Sequence, residues 1–167
     1  MKRKNMKINP NKNSSKYKHS NLEKAEIVTN LNKLLANYQV YYQKLRCFYW
    51  NIKGQDFFDL RSEFRELCKK TNRQIDDVAE RIKFFDQMPL SRWSQYSRIS
   101  EVKENTADPT GFEMVNEICS DMLKILSIKE ECLRTIVEVR DYGTEDLIKS
   151  LIHEMEVDYR IFSEWKK

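Results

Sequence analysis

The sequence predicts an all-α chain, a four-helix bundle in which one long crossover, carrying a short helix, joins the second and third long helices. Three observations carry that prediction. Apolar residues recur at three- and four-residue steps in four long stretches, the rhythm of helices that each bury one face. Glycine and proline, three of each in 167 residues, are too few for the turns an all-β chain needs. The breaks between the stretches run short, long, short.

The first stripe is Ile27, Leu31, Leu34, Tyr38, Tyr42, Leu45, Phe48 and Ile52, predicting a helix over 22–53 with Gly54 as its left-handed cap. At 1.5 Å per residue this helix is roughly 48 Å long. The second stripe, Phe57, Leu60, Phe64, Leu67, Ile75, Val78, Ile82 and Phe85, is expected to stop at the "QMP" run ending in Pro89. The polar segment "LSRWSQYSRISEVKENTADPT" has room for one short helix around Arg92 to Ile99. In "TGFE", Thr110 and Glu113 form a capping box. It opens the third stripe, Met114, Ile118, Met122, Ile125, Leu126, Leu133, Ile136 and Val139. Gly143 is expected to end that helix and Thr144 to cap the last, whose stripe is Leu147, Leu151, Met155, Tyr159, Phe162 and Trp165. Short links force antiparallel hairpins, whereas the central link of about twenty residues is long enough to cross the bundle. One long crossover between two short hairpins is the ferritin-like arrangement; a bundle of other connectivity is the alternative that pattern alone leaves open.

Charged residues make up 34% of the chain and the net charge is +4, but the charge is unevenly placed. Lys2, Arg3, Lys4, Lys7, Lys12, Lys16 and Lys18 are the seven cations of residues 1–20, which hold no acid. The remainder carries 23 basic against 26 acidic residues. Residues 1–21 are polar, rich in Asn and Ser and without apolar periodicity, so a disordered basic tail is expected before a single helical domain over 22–167. Cys47, Cys68, Cys119 and Cys132 form no CxxC pair and read as reduced thiols of a cytoplasmic protein. No apolar run is long enough to span a membrane, and no apolar h-region follows the basic start, so no secretory signal is expected.

A di-iron site inside one ferritin-like bundle needs Glu from two helices and Glu-x-x-His from each of the others. The histidines are His19 and His153, and Ser150 stands three residues before His153, so that intra-bundle centre is excluded. "IDDVAERI" places Asp76 and Glu80 one helical turn apart, where both carboxylates reach a common cation or arginine. An ordinary solvated or salt-bridged face has the same spacing.

A longer pattern brings in a family. The run Tyr49-Trp50-Asn51-Ile52-x-Gly54-x-x-Phe57-x-x-Leu60-Arg61-x-x-Phe64-Arg65, followed by Asp76-x-x-Ala79-Glu80-Arg81-Ile82, resembles the Dps proteins, the DNA-protecting mini-ferritins of starved bacterial cells. Their pattern reads H-W-N-x-x-G-x-x-F-x-x-L-H-x-x-F-E/D, then D-x-x-A-E-R. Asp141 to Glu156 is similar to the family's D-x-G-T-x-D-L-L stretch, and Ser97 to Glu104 to the link after its short helix. The resemblance spans roughly residues 22 to 165.

It implies a hollow dodecamer with a ferroxidase site across each two-fold interface. That site uses two histidines and an acid from one subunit and the Asp and Glu of D-x-x-x-E from the other. Carried across by position, Asp76 and Glu80 match, Tyr49 and Arg61 occupy the histidine positions, Arg65 occupies that of the acid, and Trp50 flanks them. Arginine stays protonated and offers a metal no lone pair. Its guanidinium does match carboxylates bidentately. The expectation is therefore a degenerate centre in which Arg61 and Arg65 pair with Asp76 and Glu80 of a neighbouring subunit. Asp141, Glu145 and Asp146 fall near the family's acidic three-fold pores, with ordinary helix-end charges as the alternative.

The function this implies is that of a cytoplasmic, nucleoid-associated Dps-like protein. It would protect DNA through its tail and sequester iron in a hollow homo-oligomer, with the ferroxidase centre inactive. One alternative is a working but atypical ferroxidase, with Tyr49 as a ferric-iron phenolate and oxygens from Glu63, Glu66 or Asp77. The other is a helical assembly protein that uses neither iron nor DNA.

Overall fold

The computed structural model describes residues 19–106 and 108–167. The tail cations from Lys2 to Lys18 lie outside the described residues, as does most of the expected disordered segment. Five helices follow: α1 (Asn21–Asn51), α2 (Phe57–Phe84), α3 (Trp93–Ile99), α4 (Gly111–Val139) and α5 (Tyr142–Trp165). Among the described residues there is no strand, and no helix is long and apolar enough to cross a membrane.

The caps explain where the chain turns. Ser20 opens α1 with a capping box: its Oγ accepts from the Glu23 N–H at 3.3 Å, and Glu23 Oε2 accepts from the Ser20 N–H at 2.6 Å. The helix stops at Asn51 because Ile52 turns extended (φ −56°, ψ 137°) and buries its side chain. Gly54 is left-handed (φ +97°) but lies past that stop, so it shapes the turn and does not cap the helix. Pro89 does not end α2 either. Asp86 takes the left-handed conformation (φ 57°) after Phe84, and the N–H groups of Phe85 and Asp86 bond back to Ile82 and Lys83. The Thr110–Glu113 box opens α4 as its sequence predicts.

At the α4–α5 corner the predicted roles shift. Arg140 (φ 57°) is the left-handed C-cap expected of Gly143, and Asp141 is the N-cap expected of Thr144. Gly143 lies inside the first turn of α5, where a Cβ would stand 3.1 Å from the Arg81 guanidinium.

Cross-helix partners give the topology. Along α1, Asn30, Lys33 and Lys44 meet Thr135, Glu131 and Asp121 of α4, so those helices run antiparallel. Along α2, Phe64, Lys70, Arg73 and Arg81 meet Phe162, Asp158, Glu154 and Thr144 of α5, again antiparallel. With α4 and α5 joined as a tight hairpin, α2 and α4 run parallel, which requires the long crossover. Asn37, fully buried in α1, holds that crossover in place. Its Oδ1 accepts from the backbone N–H of Glu101 (2.9 Å) and Val102 (3.0 Å) and from Ser100 Oγ (3.2 Å).

The core follows the predicted stripes, with several stripe residues, Phe57, Leu126, Leu133, Val139, Tyr159 and Trp165 among them, half-buried at its edge. Tyr41 and Ile148 are buried, whereas the predicted Tyr42 and Leu147 are half-buried at the edge. Tyr42 is drawn to the surface side, where Arg46 lies 5.6 Å from its ring centroid. The interior also contains charge: Lys44 Nζ donates to Asp121 Oδ2 at 2.6 Å, both side chains being buried.

Candidate functional site

The α1–α2 turn brings the end of one helix beside the start of the next. Tyr49, in the last turn of α1, meets Arg61, in the second turn of α2. The Arg61 guanidinium lies 4.7 Å above the Tyr49 ring and 5.6 Å from the Phe57 ring, and its Nη2 donates to the Tyr49 hydroxyl at 3.4 Å. Trp50 is 56% exposed and carries the Arg46 guanidinium 4.5 Å over its ring. Arg65 completes an open groove of about 570 Å³ whose walls include Tyr42, Arg46, Tyr49, Trp50 and Lys69. The groove is therefore aromatic and strongly cationic. Cys68 borders it as an inert thiol, because burial raises its pKa to about 11.

Asp76 and Glu80 lie elsewhere. Both are exposed on α2, and eleven residues separate Arg65 from Asp76, about 16 Å along the helix. Neither acid forms an ion pair with a described residue, and neither do Arg61 or Arg65. Within one subunit the five predicted positions are thus split into two groups, one basic and one acidic. Among the described residues no three His, Cys, Asp or Glu side chains converge to hold a metal ion. Glu66 is engaged by Lys69 at 2.6 Å, which holds its carboxyl below the usual range.

The three candidate pore acids differ in what they can do. Asp141 is buried: its Oδ1 accepts from Arg81 Nη2 at 2.6 Å and from the Thr144 N–H at 3.1 Å, and His19 Nε2 stands 3.6 Å from Oδ2. Glu145 accepts from Lys149 at 2.5 Å. Asp146 is exposed and has no ion pair among the described residues. Two residues escaped sequence reasoning. Arg46 carries no motif, although its i,i+4 spacing to Trp50 was a usable signal. Arg81 sat inside a quoted motif without a role; it ties α2 to the α4–α5 corner through Asp141 and through Thr144 Oγ1 at 2.6 Å.

Comparison with known proteins agrees with the fold. Residues 28–164 match the family model described as Ferritin-like domain. The chain is 35% identical to a DNA protection during starvation protein of Porphyromonas gingivalis, over 74% of this chain and 78% of the relative. It is 30% identical to DNA protection during starvation protein 2 of Bacillus anthracis, over 78% of this chain and 90% of the relative. The crystal structure of a Dps protein from Vibrio cholerae O1, described as a member of a broad superfamily of ferritin-like diiron-carboxylate proteins, superposes with a TM-score of 0.85. That match has 31% identity and covers 87% of this chain and 92% of the other. The chain belongs to the ferritin-like proteins and, within them, to the Dps family.

Proposed function

We propose that this chain builds the shell of a cytoplasmic Dps-type mini-ferritin that protects DNA and sequesters iron without the usual ferroxidase centre. The observation that carries the last clause is the Arg61 guanidinium stacked on Tyr49 and bonded to its hydroxyl. Those residues do not fit an iron site. A guanidinium has no lone pair to give, and a fixed positive charge repels Fe²⁺. Arg65 lines the groove beside Tyr49, where Arg46 and Lys69 add further positive charge. The atypical ferroxidase draws less support, since Glu66 is committed to Lys69 and the Tyr49 hydroxyl to Arg61. Iron is here a cargo, taken up by the oligomer's interior.

DNA protection rests on the relatives' printed function and on the basic tail. Seven cations from Lys2 to Lys18 form an electrostatic arm that contacts phosphates without reading sequence. A dodecamer would present many such arms, so weak contacts multiply into avidity. A cytoplasmic location suits four free cysteines, three of them buried. A gel-retardation assay of the full chain against one starting at Asn21 tests the DNA reading. The full chain is expected to retard DNA at low salt and release it as salt rises, and the shortened chain to bind far more weakly. Equal retardation by both, or binding indifferent to salt, overturns the tail's role.

A further inference from the structure

The groove between the end of α1 and the first half of α2 has a chemistry that a storage shell leaves unused. Each helix contributes a pair of side chains one turn apart, Arg46 and Trp50 from α1 and Arg65 and Lys69 from α2. Tyr42, Tyr49, Cys68 and Asn72 complete the lining, so no acid of a described residue faces the space. Of the three cations only Lys69 has a carboxylate partner, Glu66 at 2.6 Å. Arg46 and Arg65 form no ion pair with a described residue. Asp76 and Glu80 of the same chain stand about three turns or more further along α2 and leave the groove unfilled. Its volume of about 570 Å³ lies within the range of small-ligand sites.

The walls are already in place. The Arg46 guanidinium lies 4.5 Å over the Trp50 ring and 5.6 Å from the Tyr42 ring centroid, so two rings hold it while its N–H fork has no anionic acceptor. Trp50 remains 56% exposed with that guanidinium against its ring, which leaves indole surface for a second planar group. The Tyr49 hydroxyl accepts from Arg61 Nη2 at 3.4 Å, so its own proton is free to be donated. Asn72 adds an amide that both donates and accepts.

We propose that this groove binds a free nucleotide. Arg46 and Arg65 hold the phosphate, whose oxygens match their forks, Lys69 adds charge, and the base stacks on Trp50. Inorganic phosphate would use the cations and leave the rings idle. An uncharged planar ligand would use the rings and leave two arginines without an acceptor. The proposal rests on the reading of this corner as metal-free, and it gives a ligand to the cations that repel Fe²⁺.

The test is isothermal titration of the full-length, assembled protein at fixed ionic strength, with AMP, ribose 5-phosphate, inorganic phosphate and adenosine as probes. AMP should saturate one site per subunit and bind about tenfold tighter than ribose 5-phosphate or phosphate, the worth of one base–aromatic stack. Adenosine, which lacks the charge, should bind at least about tenfold more weakly than AMP. Arg46→Gln with Arg65→Gln should weaken AMP about 100-fold, the scale of losing two hydrogen bonds to a charged group. Arg65→Lys keeps a charge without the fork and should fall between. Far-UV circular dichroism and sedimentation velocity check that the variants are folded and assembled, and the comparison of probes on the unmodified chain needs no variant. Equal binding of AMP and ribose 5-phosphate overturns the nucleotide assignment, and absence of AMP binding overturns the site. AMP binding unchanged in the folded double variant, or spread over many sites per subunit, assigns the phosphate to the basic segment 2–18 and overturns the proposal too. Rapid Fe²⁺ oxidation by the unmodified chain, measured without nucleotide, would instead overturn the metal-free reading, so the two failures are told apart.

Discussion

Lys129 has no accessible surface, yet it sits midway along α4. Its Nζ donates to the Leu151 carbonyl at 2.6 Å, lies 3.3 Å from Met155 Sδ, and stands 5.3 Å from the Tyr38 ring centroid. No carboxylate of a described residue lies within ion-pair distance. Burial therefore drives its pKa from 10.5 down to about 7, and the carboxylates of Glu154, Asp158 and Glu156 offset only part of that. The folded pKa lies below the unfolded one, so between about 7 and 10.5 the unfolded chain binds the extra proton and stability rises with pH. Below that window both states are protonated and the full cost of the buried charge is felt. A gap of that size corresponds to a cost on the order of 5 kcal/mol.

Lys129→Met keeps the length of the side chain and removes the charge. Buried charges replaced by apolar groups of similar shape are typically neutral or stabilising, by about 1–4 kcal/mol. We expect Lys129→Met to stabilise the bundle at pH 6, with the advantage shrinking towards pH 9. Urea unfolding followed by far-UV circular dichroism, at matched subunit concentration, measures both chains at the two pH values. The upper limit is chosen because Cys68 and Cys132, pushed by burial from 9.0 up to about 11 and about 12, make stability fall at higher pH. A variant less stable at pH 6, or pH profiles that run parallel for the two chains, would refute the reasoning.

Two other side chains carry comparable predictions. Asn37→Ala strips the acceptor from two backbone N–H groups and a hydroxyl of the crossover, so a loss of about 2–4 kcal/mol is expected. Hydrogen exchange should locate the loss at residues 100–102, and unchanged protection there would contradict the assignment. Arg81→Leu leaves the buried Asp141 carboxylate without its arginine and should cost about 3 kcal/mol in thermal unfolding. Arg81→Lys should recover only part of this, because one ammonium cannot serve Asp141 and Thr144 together in the fork geometry.

Much of the fold was legible because a bundle core writes its own period into the chain. Leu31, Leu34, Phe64, Ile118 and Leu151 are all buried where that period places them. Helix ends were harder. Gly54 and Gly143 look like the stops, but Ile52, Asp86 and Arg140 end the helices, since a cap depends on backbone angles that tertiary partners choose. At Gly143 an added Cβ would crowd the Arg81 guanidinium of another helix, a contact no local pattern reports. Buried polar residues were invisible for a related reason: a periodic reading sends Asn37, Lys44, Asp121 and Lys129 to the surface. Of the candidate positions, Tyr49 and Arg61 lie together across the α1–α2 turn, a proximity the motif's spacing already suggests. The pairing of Arg46 with Trp50, and the occupation of Asp141 by Arg81, needed the folded chain.

The central claim, that an arginine-bound tyrosine and two arginines stand where an iron-oxidising centre would be, is tested most directly by anaerobic Fe²⁺ loading of the assembled protein followed by air. Stopped-flow absorbance should show only slow oxidation with no fast phase saturating at a fixed number of irons per subunit pair, and Asp76→Asn should leave that trace unchanged. A fast phase with such a stoichiometry, abolished by Asp76→Asn, would contradict the account.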